Sequence, residues 1–333
     1  MRAHYSLLGL KTNPFPRVPI PSYPPQVTFD TQGIVKRILW EAQYTCETGI
    51  TNVVVIVGPY GSGKTHYMLA AVAKLENAHD VLTVYVPSPG KSVLTLHRAY
   101  IEALGPDRLS ELACGNDRID RVLRLLEDEE YAKIVYAWLS GDAVEGRYRY
   151  KLGLGTKLDA FSSVKLLSDL VNRLYSRGIT SLIFLDEVES ILSLQPYQRE
   201  LYFSALRRLL DLTPRGLFLA LSVTPAGWDA ILSSAYALAR RVSRNVIFIK
   251  PLSLEEAGEV LKLYVKAAGG DPRIFTPDAI EELYKASNGI VGELVKFAGL
   301  ALDLAALKGV KRVDREVVME ALSIYGGLEG AGV

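Results

Sequence analysis

The stretch Gly58-Pro59-Tyr60-Gly61-Ser62-Gly63-Lys64-Thr65 constrains this chain more than any other. It spells the phosphate-binding loop pattern G-x-x-x-x-G-K-[ST], and its surroundings are those the pattern requires. Before it, Val53-Val54-Val55-Ile56-Val57 is the β-branched apolar run of a parallel strand buried on both faces. After it, residues 65–74 predict a helix. Gly58, Gly61 and Gly63 can take backbone angles closed to other residues, so successive N–H groups can wrap a phosphate chain. The wrapped phosphates then lie at the positive end of the following helix. Lys64 is expected to reach the β- and γ-phosphates, and the Thr65 hydroxyl to bind Mg²⁺. The predicted nucleotide contacts are therefore Gly58, Pro59, Tyr60, Gly61, Ser62, Gly63, Lys64 and Thr65, with His66 next in line. A glycine-rich turn matching by chance would not carry both a strand and a helix. The chain is expected to bind a nucleoside triphosphate.

A second signal is Ser181-Leu182-Ile183-Phe184-Leu185-Asp186-Glu187, an apolar strand that ends in two acids. An unpaired buried charge is costly, so such a pair is rarely structural. Beside a phosphate loop, Asp186 is expected to hold Mg²⁺ through its hydration shell and Glu187 to orient and activate the attacking water. Glu189 reads as an exposed or locally paired acid. The strand over 216–224 ends in polar residues, where Thr224 is the first candidate for a γ-phosphate or water sensor and Ser222 the second. The alternative is that the Thr224 hydroxyl caps the helix that follows. Arg240-Arg241-Val242-Ser243-Arg244 precedes a strand at 245–249. Arg241 or Arg244 can there reach a neighbour's triphosphate as a finger. A surface ion-pair cluster is the competing reading.

Length and composition fit this picture. At 333 residues a large core with a smaller satellite domain is expected. A net charge of +1 spreads no basic field over the molecule, so nucleic-acid contact must be local or made through a partner. Two cysteines, Cys46 and Cys114, suggest neither a disulfide framework nor a zinc site. With no apolar leader and no bilayer-long apolar run, a cytoplasmic location without membrane contact is expected.

In chain order, residues 1–30 are proline-rich and read as an extended strap, which in many phosphate-loop machines lies near the adenine. An amphipathic helix over 32–48 has Asp30 or Thr31 as its candidate cap. Residues 31–251 form the α/β nucleotide-binding domain. Its second strand is Val81–Val86, followed by a helix over 91–104. Residues 106–160 exceed a minimal strand–helix alternation and read as an insertion. It has helices near 117–127 and 130–139, then a looser run, Gly146-Arg147-Tyr148-Arg149-Tyr150-Lys151-Leu152-Gly153. That run either contacts nucleic acid by charge and stacking or is a solvated loop over packed aromatics. From 252 to 333 the pattern is helical, with segments near 253–267, 277–287, 290–307 and 314–324.

Five strands with crossover helices, a phosphate loop after the first strand and a four-helix C-terminal lid resemble the AAA+ layout. Within it, Gly58–Thr65, Leu185-Asp186-Glu187 and Arg240–Arg244 are most similar to the origin-recognition and replication-initiator clade. Pro87-Ser88-Pro89-Gly90-Lys91-Ser92, Trp138-Leu139-Ser140-Gly141 and Leu185–Glu189 carry a closer likeness to BREX-type ATP-binding proteins. Leu8-Gly9-Leu10-Lys11-Thr12-Asn13-Pro14-Phe15 is similar to the opening of ATPases in transposition and secretion accessory systems. The resemblance implies an α/β, parallel five-stranded P-loop NTPase with a small helical lid. It would bind ATP or ADP with Mg²⁺, hydrolyse ATP, assemble with itself or related AAA+ subunits, and serve DNA-linked processes. The alternative is a regulatory NTPase switch that acts on a protein partner without DNA. Two departures stand out. The given chain leaves no room after the lid for a winged-helix domain. Asn288-Gly289-Ile290-Val291-Gly292-Glu293-Leu294 lacks the arginine often used as a second sensor, for which Lys296 is a candidate substitute or simply an exposed helical lysine.

Overall fold

The computed structural model describes residues 4–17 and 22–329. Pro19 and Pro21 of the expected strap lie outside the described residues. The elements run α1 (Ile34–Thr48), β1 (Asn52–Val57), α2 (Lys64–Leu75), β2 (Val81–Val86), α3 (Leu94–Glu111), α4 (Arg118–Arg124) and α5 (Ala132–Leu139). They continue with α6 (Gly146–Leu152), α7 (Ala160–Tyr175), β3 (Thr180–Leu185), α8 (Pro196–Leu212), β4 (Leu217–Val223), α9 (Pro225–Ser234) and α10 (Tyr236–Val242). Then follow β5 (Val246–Phe248), α11 (Leu254–Ala267), α12 (Pro277–Ser287), α13 (Val291–Lys308) and α14 (Arg315–Glu329).

The chain divides into two compact units. One comprises residues 35–57 and 71–248, the other residues 1–34, 58–70 and 249–333. The first contains the whole sheet, ordered β2-β3-β4-β1-β5, and every strand pair is parallel. Leu, Ile, Phe and Val make up most of β3 and β4, which are buried at every residue, as expected of parallel strands covered on both faces. The register sets Leu185 beside Leu221 and Val86 beside Leu185, so Asp186 leaves β3 at the level of Ser222 and just past Val86.

The block between β2 and β3 carries helices joined by loops, with no described strand. Gly105, with φ 70°, and Pro106 break α3, so the expected helix over 91–104 is its first half. The run at 146–153, expected to be loose, is instead the helix α6, stopped by left-handed Gly153. Arg173 of α7 ties the block down through Asp120 at 2.6 Å and Asp117 at 2.8 Å. Asp117 and Asp120 form a reciprocal capping box at the start of α4.

In the second unit the N-terminal residues lie on the C-terminal helices. Leu8, Leu10 and Phe15 are buried, and Phe15 stacks on Tyr264 of α11 with ring centroids 5.2 Å apart. Three donors converge on Asp303 of α13: the Tyr5 hydroxyl at 2.5 Å, the Asn13 amide at 2.6 Å and the Arg17 guanidinium at 3.0 Å.

Candidate functional site

The phosphate-loop segment opens where β1 ends, and Lys64 is the first residue of α2. Gly61 and Gly63 take φ of 75° and 93°, angles that only glycine adopts without strain. The Lys64 side chain is 8% exposed, and a buried ammonium must be solvated by acceptors. It donates to the carbonyls of Gly58 at 2.8 Å and Pro59 at 3.1 Å, and lies 5.3 Å from the centroid of the Tyr60 ring. Tyr60 itself is three-quarters exposed. Ser62 is buried, and its Oγ has no hydrogen-bond partner among the described residues. Thr65 is half-buried.

His66 stacks flat on Phe29, with centroids 4.1 Å apart and an 8° interplanar angle, and its Nε2 accepts from the Phe29 N–H at 3.4 Å. Burial lowers its pKa to about 4, so the ring is neutral. Beside the loop a mostly apolar cleft is lined by Pro59, Ser62 and Tyr67, by residues 249–252 and by residues 289–291.

In the other unit the two acids at the end of β3 differ sharply. Asp186 is 1% exposed. Its Oδ1 accepts from the Ser222 hydroxyl and from the Glu187 N–H at 3.0 Å, while its Oδ2 accepts from the Tyr85 hydroxyl at 2.9 Å. Burial, then the Asp186 charge, holds the Tyr85 phenol proton well above its ordinary range, which keeps Tyr85 a donor. The Glu187 N–H also reaches Ser222 Oγ at 3.1 Å. Glu187 is exposed and adopts φ 53°, ψ 42°, a left-handed conformation that costs a non-glycine residue roughly 1–2 kcal/mol. That turn carries the chain from the buried strand end to a solvent-facing carboxylate in one residue.

Thr224 occupies the N-cap of α9, where its Oγ1 accepts from the Gly227 N–H at 3.2 Å. Of the two hydroxyls at the end of β4, it is Ser222 that touches Asp186. Glu189 is neither exposed nor paired as expected: both carboxylate oxygens are buried without a hydrogen-bond partner among the described residues. Arg241 pairs with Asp211 at 2.5 Å on an exposed face, and Arg244 is exposed just before β5. Lys296 pairs with Glu293 at 3.3 Å. Sequence reasoning missed Tyr85, whose only signal is a hydroxyl-bearing residue one position before the end of an apolar strand.

The AAA domain family model matches residues 51–232, more than half of the chain. The chain belongs to the AAA domain family. This AAA protein shares its fold with the Aeropyrum pernix ORC2 protein, solved as ADPNP–ADP complexes. The TM-score is 0.58 at 15% identity, over 91% of this chain and 69% of that one. For the A. pernix ORC1 protein, solved in complex with DNA, the TM-score is 0.55 at 17% identity, over 92% and 68%. For the Walker-type ATPase of Pyrococcus abyssi it is 0.54 at 14% identity, over 95% and 77%. No curated protein matches the sequence significantly. No described helix is long and apolar enough to cross a membrane.

Proposed function

We propose that this AAA protein binds ATP with Mg²⁺ and hydrolyses it, acting as an assembling switch or loader in a DNA-linked process. The observation that carries the reading is the buried Asp186, held by neutral donors and followed at once by the solvent-facing Glu187. In this reading the amides of the 58–65 loop and Lys64 hold the phosphates, with Lys64 exchanging carbonyl partners for phosphate oxygens. The apolar cleft beside Pro59 and Tyr67 receives the base. Glu187 accepts a proton from the attacking water, and Ser222 fixes both acids by bonding the Asp186 carboxylate and the Glu187 amide. Thr224 serves mainly to cap α9.

Magnesium suits the donors assigned to it. The Thr65 hydroxyl and the Asp186 carboxylate are hard oxygens, and Asp186 accepts from the neutral donors Tyr85, Ser222 and the Glu187 N–H. When bound, the ion would neutralise charge developing on the transferring phosphoryl group. Arg241 or Arg244 is proposed to complete a neighbour's site, which would make turnover depend on assembly with self or related subunits. The A. pernix ORC1 protein was solved with DNA, and α6 carries Arg147, Arg149 and Lys151 with Tyr150 fully in solvent, which supports a DNA contact here.

The test is ATP hydrolysis against protein concentration, with and without DNA, for wild type, Glu187→Gln and Arg244→Ala. The reading expects a specific rate that rises with concentration or DNA, is abolished by Glu187→Gln and loses its concentration dependence in Arg244→Ala. A flat rate, a silent arginine variant and no salt-dependent retention on DNA would instead indicate a monomeric switch for a protein partner.

A further inference from the structure

Within one compact unit, the backbone of the phosphate loop is joined to the N-terminus of α13. The Gly292 N–H donates to the Gly61 carbonyl at 2.9 Å. Both partners are glycines, and a side chain at either would be tightly placed. A Cβ on Gly292 would stand 3.1 Å from both Cα and O of Gly61, and one on Gly61 would stand 3.2 Å from Ile290 Cγ2. On its other side the same turn is pinned by the Leu252 N–H, which donates to the Gly289 carbonyl at 2.8 Å. Gly289 is more confined still, since a Cβ there would meet the Leu252 carbonyl at 2.6 Å. Residues 289–292 thus form a backbone junction whose one arm is the chain leaving the sheet and whose other arm is the phosphate loop.

Helix chemistry gives no reason for glycine at 292. It is the second residue of α13, where alanine is the better helix former and the N–H has no intrahelical acceptor. The N–H is spent on Gly61, and the missing side chain admits the loop.

We propose that Gly292 is a positioning residue for the nucleotide. It sets the path of the 58–63 loop through the Gly61 carbonyl, so that phosphate binding and the seating of α13 are coupled. This inference rests on the phosphate loop binding ATP or ADP. The Gly61 carbonyl is engaged by the Gly292 N–H, which fixes the peptide plane between Gly61 and Ser62 in a loop whose N–H groups must converge on an anion. Displacing the carbonyl rotates the peptide planes that carry those donors. By linkage, a nucleotide that tightens the loop must also tighten residues 288–296.

The test measures ADP and a non-hydrolysable ATP analogue by isothermal titration calorimetry on wild type and Gly292→Ala. It is accompanied by thermal melts without nucleotide and by hydrogen exchange of wild type with and without ADP. Affinity is expected to fall about tenfold in Gly292→Ala, the size of a typical coupling, while the nucleotide-free melt stays level or rises because alanine favours the helix. Hydrogen exchange is expected to slow at 288–296 when ADP is added. Unchanged affinity in a normally melting variant overturns the proposal. Should the variant melt far lower, hydrogen exchange on wild type decides, and no ADP-dependent protection at 288–296 overturns the proposal too. If wild type binds neither nucleotide, the ATP reading itself falls and takes this inference with it. Weak binding by the variant alone leaves the ATP reading intact.

Discussion

The phosphate loop and the Asp186 cluster are both built to hold charge, yet they are held in opposite ways. The loop is shaped by its own backbone: positive-φ glycines at 61 and 63, a lysine turned onto the carbonyls of 58 and 59, and a glycine–glycine contact at 292. Asp186 is shaped by side chains from neighbouring strands, a serine from β4 and a tyrosine from β2. A backbone-shaped site needs particular residues at fixed spacing in one stretch. A side-chain-shaped site draws on positions a hundred residues apart and leaves no local spelling. The first kind is read easily from a sequence and the second is not.

The comparison breaks most visibly at Glu187. Glu187→Gln removes the proposed base and is expected to lower kcat by about 10²–10³-fold while ATP binding, which belongs to the loop, is nearly unchanged. Steady-state turnover beside calorimetric binding checks this split, and a parallel loss of affinity would argue against separate tasks.

Next in size is the support of Asp186. Ser222→Ala and Tyr85→Phe are each expected to lower kcat about tenfold or more, in the range of residues that orient metal-holding groups. The apparent Mg²⁺ requirement should rise in both variants, whereas Thr224→Val should alter stability through the lost α9 cap and leave that requirement alone. Magnesium titrations of activity distinguish the three.

Acid is expected to act on both units through one histidine in each. His66 in α2 and His97 in α3 are both lowered to about 4, by burial first; His66 faces Asp30, and His97 lies beside Arg98 with its Nε2 2.6 Å from the Leu139 carbonyl. Their folded pKa values lie below the unfolded one, so between pH 6.5 and about 4 the unfolded chain binds protons that the folded chain does not. Stability is therefore complete above pH 6.5 and falls as pH drops, by about 2 kcal/mol for each histidine at pH 5. Urea unfolding at pH 7 and pH 5 for wild type, His66→Asn and His97→Gln measures the slope, which each substitution should reduce.

The smallest effect is expected at Arg241. Its pair with Asp211 is exposed, so Asp211→Asn should change stability by less than about 1 kcal/mol. A larger shift in the concentration dependence of turnover would show that the pair matters to assembly rather than to folding.

Strands β1, β3 and β4 were legible because burial on both faces forces long apolar runs. The C-terminal helices were legible because a start at Thr276-Pro277 and stops such as Gly289 punctuate a clear period. Residues 146–152 were not, because a short surface helix of Arg, Tyr and Lys has no apolar period to show. Glu189 misled for another reason: an acid in a polar-looking stretch reads as exposed, but the glycine at 227 makes room for it, since a Cβ there would stand 2.7 Å from Glu189 Cβ. Between Thr224 and Ser222 the sequence offered two hydroxyls at one strand end. Only the parallel register, which sets Leu185 beside Leu221, selects Ser222 as the partner of Asp186.

By itself, then, the sequence determined a parallel α/β fold, a phosphate loop and an acid pair, because each is a local pattern imposed by backbone geometry or by burial. Only the tertiary structure decided that Tyr85 and Ser222 grip Asp186, that Glu187 turns outward through a left-handed residue, and that Gly292 meets Gly61. Those facts depend on which distant segments the strand order and chain path bring within hydrogen-bonding reach, and no spacing along the chain encodes that.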